Sequence, residues 1–157
     1  MRKSSGIRSL DVPQADSLPM IRRVAEAVND DKQGVPAISK RTGFSERHVR
    51  YRLQAARILG LLAVDLSITP RGRRLIETAP GSADELEILR ECVRASKVMT
   101  SLAPALLANE KLEVAAVSKR IQSLAGLSQA TADRRAVVLR AWQRQLVEKC
   151  MTEKELA

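Results

Sequence analysis

Residues 39–62 read SKRTGFSERHVRYRLQAARILGLL, and this stretch decides how the chain is to be understood. Thr42-Gly43-Phe44 has the composition of a tight turn: glycine can take a left-handed backbone there, and Phe44 is expected to plug the core. Ser45 is a natural N-cap, so a helix is predicted from Ser45 to about Leu59, closed by Gly60. At about 100° per residue, Val49, Leu53 and Ala56 fall on one stripe of that helix, and Arg47, Arg50, Tyr51 and Gln54 fall on the opposite side. An apolar seat backs a compact face of hydrogen-bond donors.

Upstream, Pro36 to Arg41 reads as a short helix with proline in its first turn, and the apolar spacing of Ile21, Val24, Ala25 and Val28 predicts a helix from Leu18 that ends in the polar run Asn29–Gly34. Downstream, Leu61-Leu62-Ala63-Val64 and Ser67-Ile68-Thr69 read as two short strands joined through Asp65-Leu66, and Thr69-Pro70 starts a further helix through Ile76. The expected order is helix, helix, turn, helix, hairpin, helix. Residues 1–17, with Arg2, Lys3 and Arg8, are expected to form a flexible or loosely docked basic arm, either reaching a DNA groove or serving as a plain tail.

Ala79-Pro80-Gly81-Ser82-Ala83 breaks the pattern, and an amphipathic helix is predicted from Asp84 to about Ser96 on Leu86, Ile88, Leu89, Cys92 and Val93, so residues 80–98 form a linker and connecting helix. The rest echoes the first half. Val35-Pro36-Ala37-Ile38-Ser39-Lys40-Arg41 aligns with Val114-Ala115-Ala116-Val117-Ser118-Lys119-Arg120, and Met20 falls on Met99 at the same shift. After an insertion at Ile121–Leu124, Gly43-Phe44-Ser45 aligns with Gly126-Leu127-Ser128. Residues 99–157 are therefore read as a second helix-turn-helix copy with a C-terminal helix, and no hairpin pattern follows it, because Arg144 to Leu156 stays helix-like. The positions matching Arg47, Arg50, Tyr51 and Gln54 are Ala130, Asp133, Arg134 and Val137, so the donor face is lost there.

The fold class that results is mainly α, in tandem winged helix-turn-helix units, the first (18–79) with a short β-hairpin wing and the second degenerate or wingless. Composition agrees with helices. Of 157 residues 45% are apolar, with one each of Phe, Tyr and Trp, so the core rests on Leu, Ile, Val and Ala.

The net charge is +9 and the pI near 10.3. Residues 1–79 hold 15 Lys and Arg against 8 Asp and Glu, whereas residues 80–157 hold 12 against 10. Such a balance favours polyanions, nucleic acid first and acidic membrane second, and places the anion on the first half. Arg can fork onto the two acceptors of guanine, Gln can pair with adenine, and Tyr can reach a phosphate or a thymine methyl. Ser45 opens a helix whose N–H groups suit a phosphate, with Lys40 and Arg41 nearby and His48 on the surface beside it. Arg71, Arg73 and Arg74 follow the hairpin, where Gly72 would let the backbone approach a phosphate closely; the alternative is that they decorate an exposed helix. Secondary DNA contacts are possible at Lys119, Arg120, Thr131, Arg134 and Arg135. Trp142, with Leu139 and Leu146, reads as core or helix interface.

Catalysis is not expected. A lone histidine supplies no metal set or triad, and no Gly-rich loop has phosphate-binding spacing, so no cofactor is expected either. Cys92 and Cys150 read as reduced packing thiols, and no export signal or membrane-length apolar run occurs, which points to the cytoplasm and the nucleoid.

S-K-R-T-G-F-S-E-R-H-V-R-Y, A-x-x-L-G-L-L from Ala56 and I-T-P-R-G-R-R-L from Ile68 resemble the winged helix-turn-helix superfamily of bacterial DNA-binding proteins. More narrowly, they are similar to winged-helix repeats beside nuclease or ATPase modules in restriction and phage-defence proteins. The resemblance spans residues 18–79, and residues 99–147 through A-T-A-D-R-R-x-x-x-L-x-x-W. It implies a recognition helix from Ser45 to about Leu59 and a wing near Val64 to Thr69. The expected function is double-stranded DNA binding by a transcription regulator, with the second copy available for a homodimer or protein partner. The alternative is an interaction or DNA-recognition subunit of a larger DNA-processing or phage-defence complex.

Overall fold

The computed structural model describes residues 6–30 and 34–148. Arg2, Lys3 and Cys150, with residues 149–156 of the stretch expected to stay helical, lie outside the described residues. The chain divides into two compact units, residues 17–96 and residues 6–16 together with 97–148.

In the first unit α1 (Leu18–Asn29), α2 (Val35–Thr42), α3 (Glu46–Ile58), α4 (Pro70–Ile76) and α5 (Ala83–Ala95) follow in order. Serine or threonine caps four of them: Ser17, Ser45, Thr69 and Ser82 each accept from a first-turn N–H. Val49, Leu53 and Ala56 are buried against α1 and α2, whose Ile21, Val24, Ala25 and Ile38 are buried too. Arg22 is buried among them. Its guanidinium donates to Thr78 Oγ1 at 3.1 Å, Ile76 O at 3.1 Å and Thr78 O at 2.6 Å, and it pairs with Glu85, so one side chain of α1 ties down the end of α4 and the start of α5.

The expected β-hairpin wing is absent: the described residues contain no strand. Leu62 and Ile68 form a single antiparallel bridge, flanked by Ala63 N–H to Ser67 O at 2.8 Å and Thr69 N–H to Leu61 O at 3.1 Å. The flanking chain is committed elsewhere. The N–H groups of Leu61 and Leu62 both donate to Ala56 O at the end of α3. Thr69 caps α4, and Pro70 has no N–H to extend a ladder. In place of the expected wing stands a loop, turned at Asp65-Leu66, where Ser67 donates twice to the Asp65 carboxylate. The mainly helical class stands, without the β element.

The second unit contains α6 (Lys97–Leu102), α7 (Val114–Ala125) and α8 (Gln129–Gln143), which widens into a π-helical turn over Arg144–Glu148. The α7–turn–α8 segment matches α2–turn–α3 in detail. Gly43 and Gly126 both end a helix in the left-handed region, at φ 79° and 68°, and Ser45 and Ser128 both accept from the third N–H of the next helix. The Ile121–Leu124 insertion lengthens α7 to 12 residues against 8 in α2, about one additional helical turn, which leaves glycine and serine in equivalent places.

Residues 6–16 pack on this unit. Val12 and Ala15 are buried, Arg135 donates to Ser9 O at 2.8 Å and Val12 O at 2.9 Å, and Trp142 Nε1 donates to Ala15 O at 2.8 Å. Gln143, also buried, accepts from Leu112 N–H at 2.7 Å and donates to the carbonyls of Ala105, Ala108 and Glu110, which organises the loop between α6 and α7.

Candidate nucleic-acid interface

The outward face of α3 carries the residues singled out from the sequence. Arg47, His48 and Arg50 are exposed, while Tyr51 and Gln54 are half-buried. Arg47 Nε donates to Tyr51 Oη at 3.0 Å and its guanidinium lies 5.6 Å from the ring centroid, so the phenol steadies the arginine. Arg50 lies 3.9 Å from Glu46, an exposed i,i+4 pair that costs little to break. Ser45 Oγ accepts from His48 N–H at 3.2 Å.

Below the N-terminus of α3, Lys40 is exposed and Arg41 pairs with Asp30 at 3.3 Å on the surface. Phe44, expected in the core, is only half-buried. The guanidinium carbons of Arg23 and Arg52 lie over its ring, 4.7 and 4.1 Å from the centroid. The sequence offered a signal here: with so many arginines on either side of the turn, an aromatic can serve cations as readily as a core.

The cluster on α4 is divided. Arg71 and Arg74 both bond Glu91 on α5, at 3.3 and 2.9 Å, so two of the three arginines expected to hold DNA spend charge inside the unit. Those contacts, Arg74 first, hold the Glu91 carboxyl below the ordinary carboxylate range. Arg73 is exposed and edges an open cavity of about 580 Å³ with Ile38, Leu53, Leu66 and Ile68. Gly72, read as allowing approach to a phosphate, instead allows approach to the protein's own loop: a Cβ there would stand 2.1 Å from Leu61 O.

On the second unit, Lys119, Arg120 and Arg134 are exposed, and Arg134 donates to Thr131 Oγ1 at 3.3 Å. Asp133 accepts from the buried Ser118, and Arg135 is occupied by Ser9 and Val12. Val137, which takes the place of Gln54, is 56% exposed. Trp142 is fully buried. No helix among the described residues is long and apolar enough to cross a membrane. Comparison with protein-family models, with curated proteins and with solved structures gives no match.

Proposed function

We propose that this chain binds double-stranded DNA in the bacterial cytoplasm, as a regulator of transcription, with α3 laid in the major groove. The observation that carries the reading is the division of α3 into two faces. Val49, Leu53 and Ala56 are buried, and Arg47, Arg50, Tyr51 and Gln54 gather on the other side. Those four side chains supply the bidentate donors and the steadied cation that base edges and phosphates accept. The strong positive charge supplies the sequence-independent part of the affinity. Lys40, Arg41 and Ser45 flank the helix on the phosphate side, and Arg73 is the member of the α4 cluster best placed for a backbone contact, since Arg71 and Arg74 are held by Glu91. The reading includes no catalytic group.

The second unit fits a different task. With Asp133 bonded to Ser118 and Val137 exposed where α3 has Arg50 and Gln54, the corresponding face of α8 suits a second copy or another protein better than DNA.

Selection from a random duplex pool tests the reading, followed by Arg47→Ala, Arg50→Ala and Gln54→Ala. Enrichment of one consensus is expected, and Arg50→Ala should cost about 1–3 kcal/mol and relax specificity at one position. Failure of the protein to shift any duplex at low salt removes the proposal.

A further inference from the structure

We infer that the cavity between the first three helices and the 61–69 loop binds a free α-amino acid with a large apolar side chain, its carboxylate met by Arg73 and its ammonium by Asp65. The site stands without the DNA-binding reading, because its evidence lies in the cavity and not on the outward face of α3.

The apolar lining comes from four segments of the first unit. Val28 belongs to α1, Val35 and Ile38 to α2, Leu53 to α3, and Leu66 and Ile68 to the loop. Ile38 and Leu53 are buried, so the floor of the cavity reaches the core. At about 580 Å³ the space falls in the range of small-ligand sites, and mostly apolar walls with a few polar groups are their usual make-up.

Leu66 adds a second observation. It has φ 66°, a left-handed backbone that a bulky side chain rarely adopts, and it is the one non-glycine residue so placed among the described residues. The loop bears that conformational cost while setting a leucine, 38% exposed, on the cavity wall and not in the core. An apolar ligand group lying against Leu66 would take that surface out of water.

Two unlike charges edge the same cavity. The Arg73 side chain is exposed and makes no hydrogen bond or ion pair with a described residue. Asp65 accepts from Ser67 N–H at 3.0 Å and Ser67 Oγ at 2.6 Å, both at Oδ1, which leaves Oδ2 without a donor among the described residues. A plain carboxylate would be attracted by Arg73 and repelled by Asp65, and a plain amine the reverse. A zwitterion with an apolar body satisfies both charges and the wall between them.

Arg73 is also the α4 arginine placed for a DNA backbone contact, and one guanidinium cannot serve both partners at once. Bound amino acid should therefore lower the affinity for DNA, a consequence that does rest on the DNA-binding reading.

The test is an amide NMR titration of the full chain with L-phenylalanine. Saturable shifts at Val28, Ile38, Leu53, Leu66 and Ile68 are expected, with a Kd of millimolar order or tighter. 3-Phenylpropionate and phenethylamine, which each lack one charge, should bind roughly three- to tenfold more weakly, and glycine, which lacks the side chain, about tenfold more weakly or worse. Arg73→Gln should weaken phenylalanine while leaving phenethylamine unchanged or improved, and Asp65→Asn, which keeps an acceptor for Ser67, should do the same for phenylpropionate. No saturable shift at millimolar phenylalanine overturns the site, and equal binding of the three aromatic compounds overturns the zwitterion. In a DNA titration, phenylalanine should weaken the wild-type protein and leave Arg73→Gln unaffected. No DNA binding by the wild-type protein at low salt removes the DNA reading and this coupling, while the NMR result decides the site by itself.

Discussion

Gly72 faces the carbonyl of Leu61 so closely that a methyl group on its α-carbon would stand 2.1 Å from that oxygen and 2.8 Å from Ile68 Cδ1. Neither the carbonyl, which accepts from Thr69 N–H and Thr69 Oγ1, nor the first turn of α4 can retreat without loosening the loop closure. Gly72→Ala should therefore lower stability by about 1–3 kcal/mol, towards the upper end because the clash is with backbone. Urea unfolding measures this, and a loss below a few tenths of a kcal/mol would show that the loop yields freely.

Arg22→Ala removes the side chain that ties α1 to Ile76, Thr78 and Glu85. The loss leaves Glu85, which is itself largely buried, without its cation, so a cost of about 3–5 kcal/mol is expected, among the largest for any single charged residue of this unit. Chemical unfolding of the full chain checks it. An effect no larger than that of Arg41→Ala, whose pair with Asp30 is exposed, would contradict the clamped geometry.

Gly43→Ala and Gly126→Ala should behave alike. At both sites the backbone is left-handed and nothing lies within 4 Å of an added methyl, so the cost is conformational alone, about 1–2 kcal/mol each. Matched losses in thermal unfolding would show that the two turns are held by the same strain-free use of glycine.

Glu91 offers a pH readout. Its carboxyl is depressed by Arg74 and Arg71, so the stabilisation it brings is present above the unfolded-state carboxylate value and is lost as pH falls through the folded one. In a carboxyl NMR titration Glu91 should have a lower midpoint than in Arg74→Ala, and an unchanged midpoint in that variant would count against the pairing.

Burial pushes the Cys92 thiol up to about 12. In a Cys150→Ser background the folded protein should resist a thiol reagent at pH 8 and react on unfolding in denaturant. Rapid modification of the native protein would show that α5 opens.

What the sequence made legible follows from the range of each signal. The Gly43-to-Ser45 turn and cap, their counterparts at Gly126 and Ser128, and the buried stripe of α3 are set by neighbours a few residues apart, and local pattern reads them well. The loop at 61–69 has strand-like composition, but the N–H groups of Leu61 and Leu62 are claimed by Ala56 O and Thr69 is taken up as the cap of α4, a competition that composition does not register. Arg22 looks like one more polar residue on α1 until its carbonyl partners, more than fifty positions away, are brought to it. Arg71 and Arg74 read as available charge for the same reason: Glu91 lies 20 and 17 residues on and meets them only in the fold. Phe44 lies half-buried under two guanidinium groups and not in the core, a difference composition does not register, because aromatics that seat cations and those that fill cores occur in similar sequence.

Because residues 6–16 are built into the same unit as residues 97–148, that unit is assembled from segments at opposite sides of an 80-residue insertion in the chain. Trp142 and Arg135 find Ala15, Ser9 and Val12 at sequence separations of 123 to 127. On a ribosome, residues 17–96 can close upon themselves while the segment carrying Val12 must wait for α8 to emerge, so a segment made before them reaches its place after them.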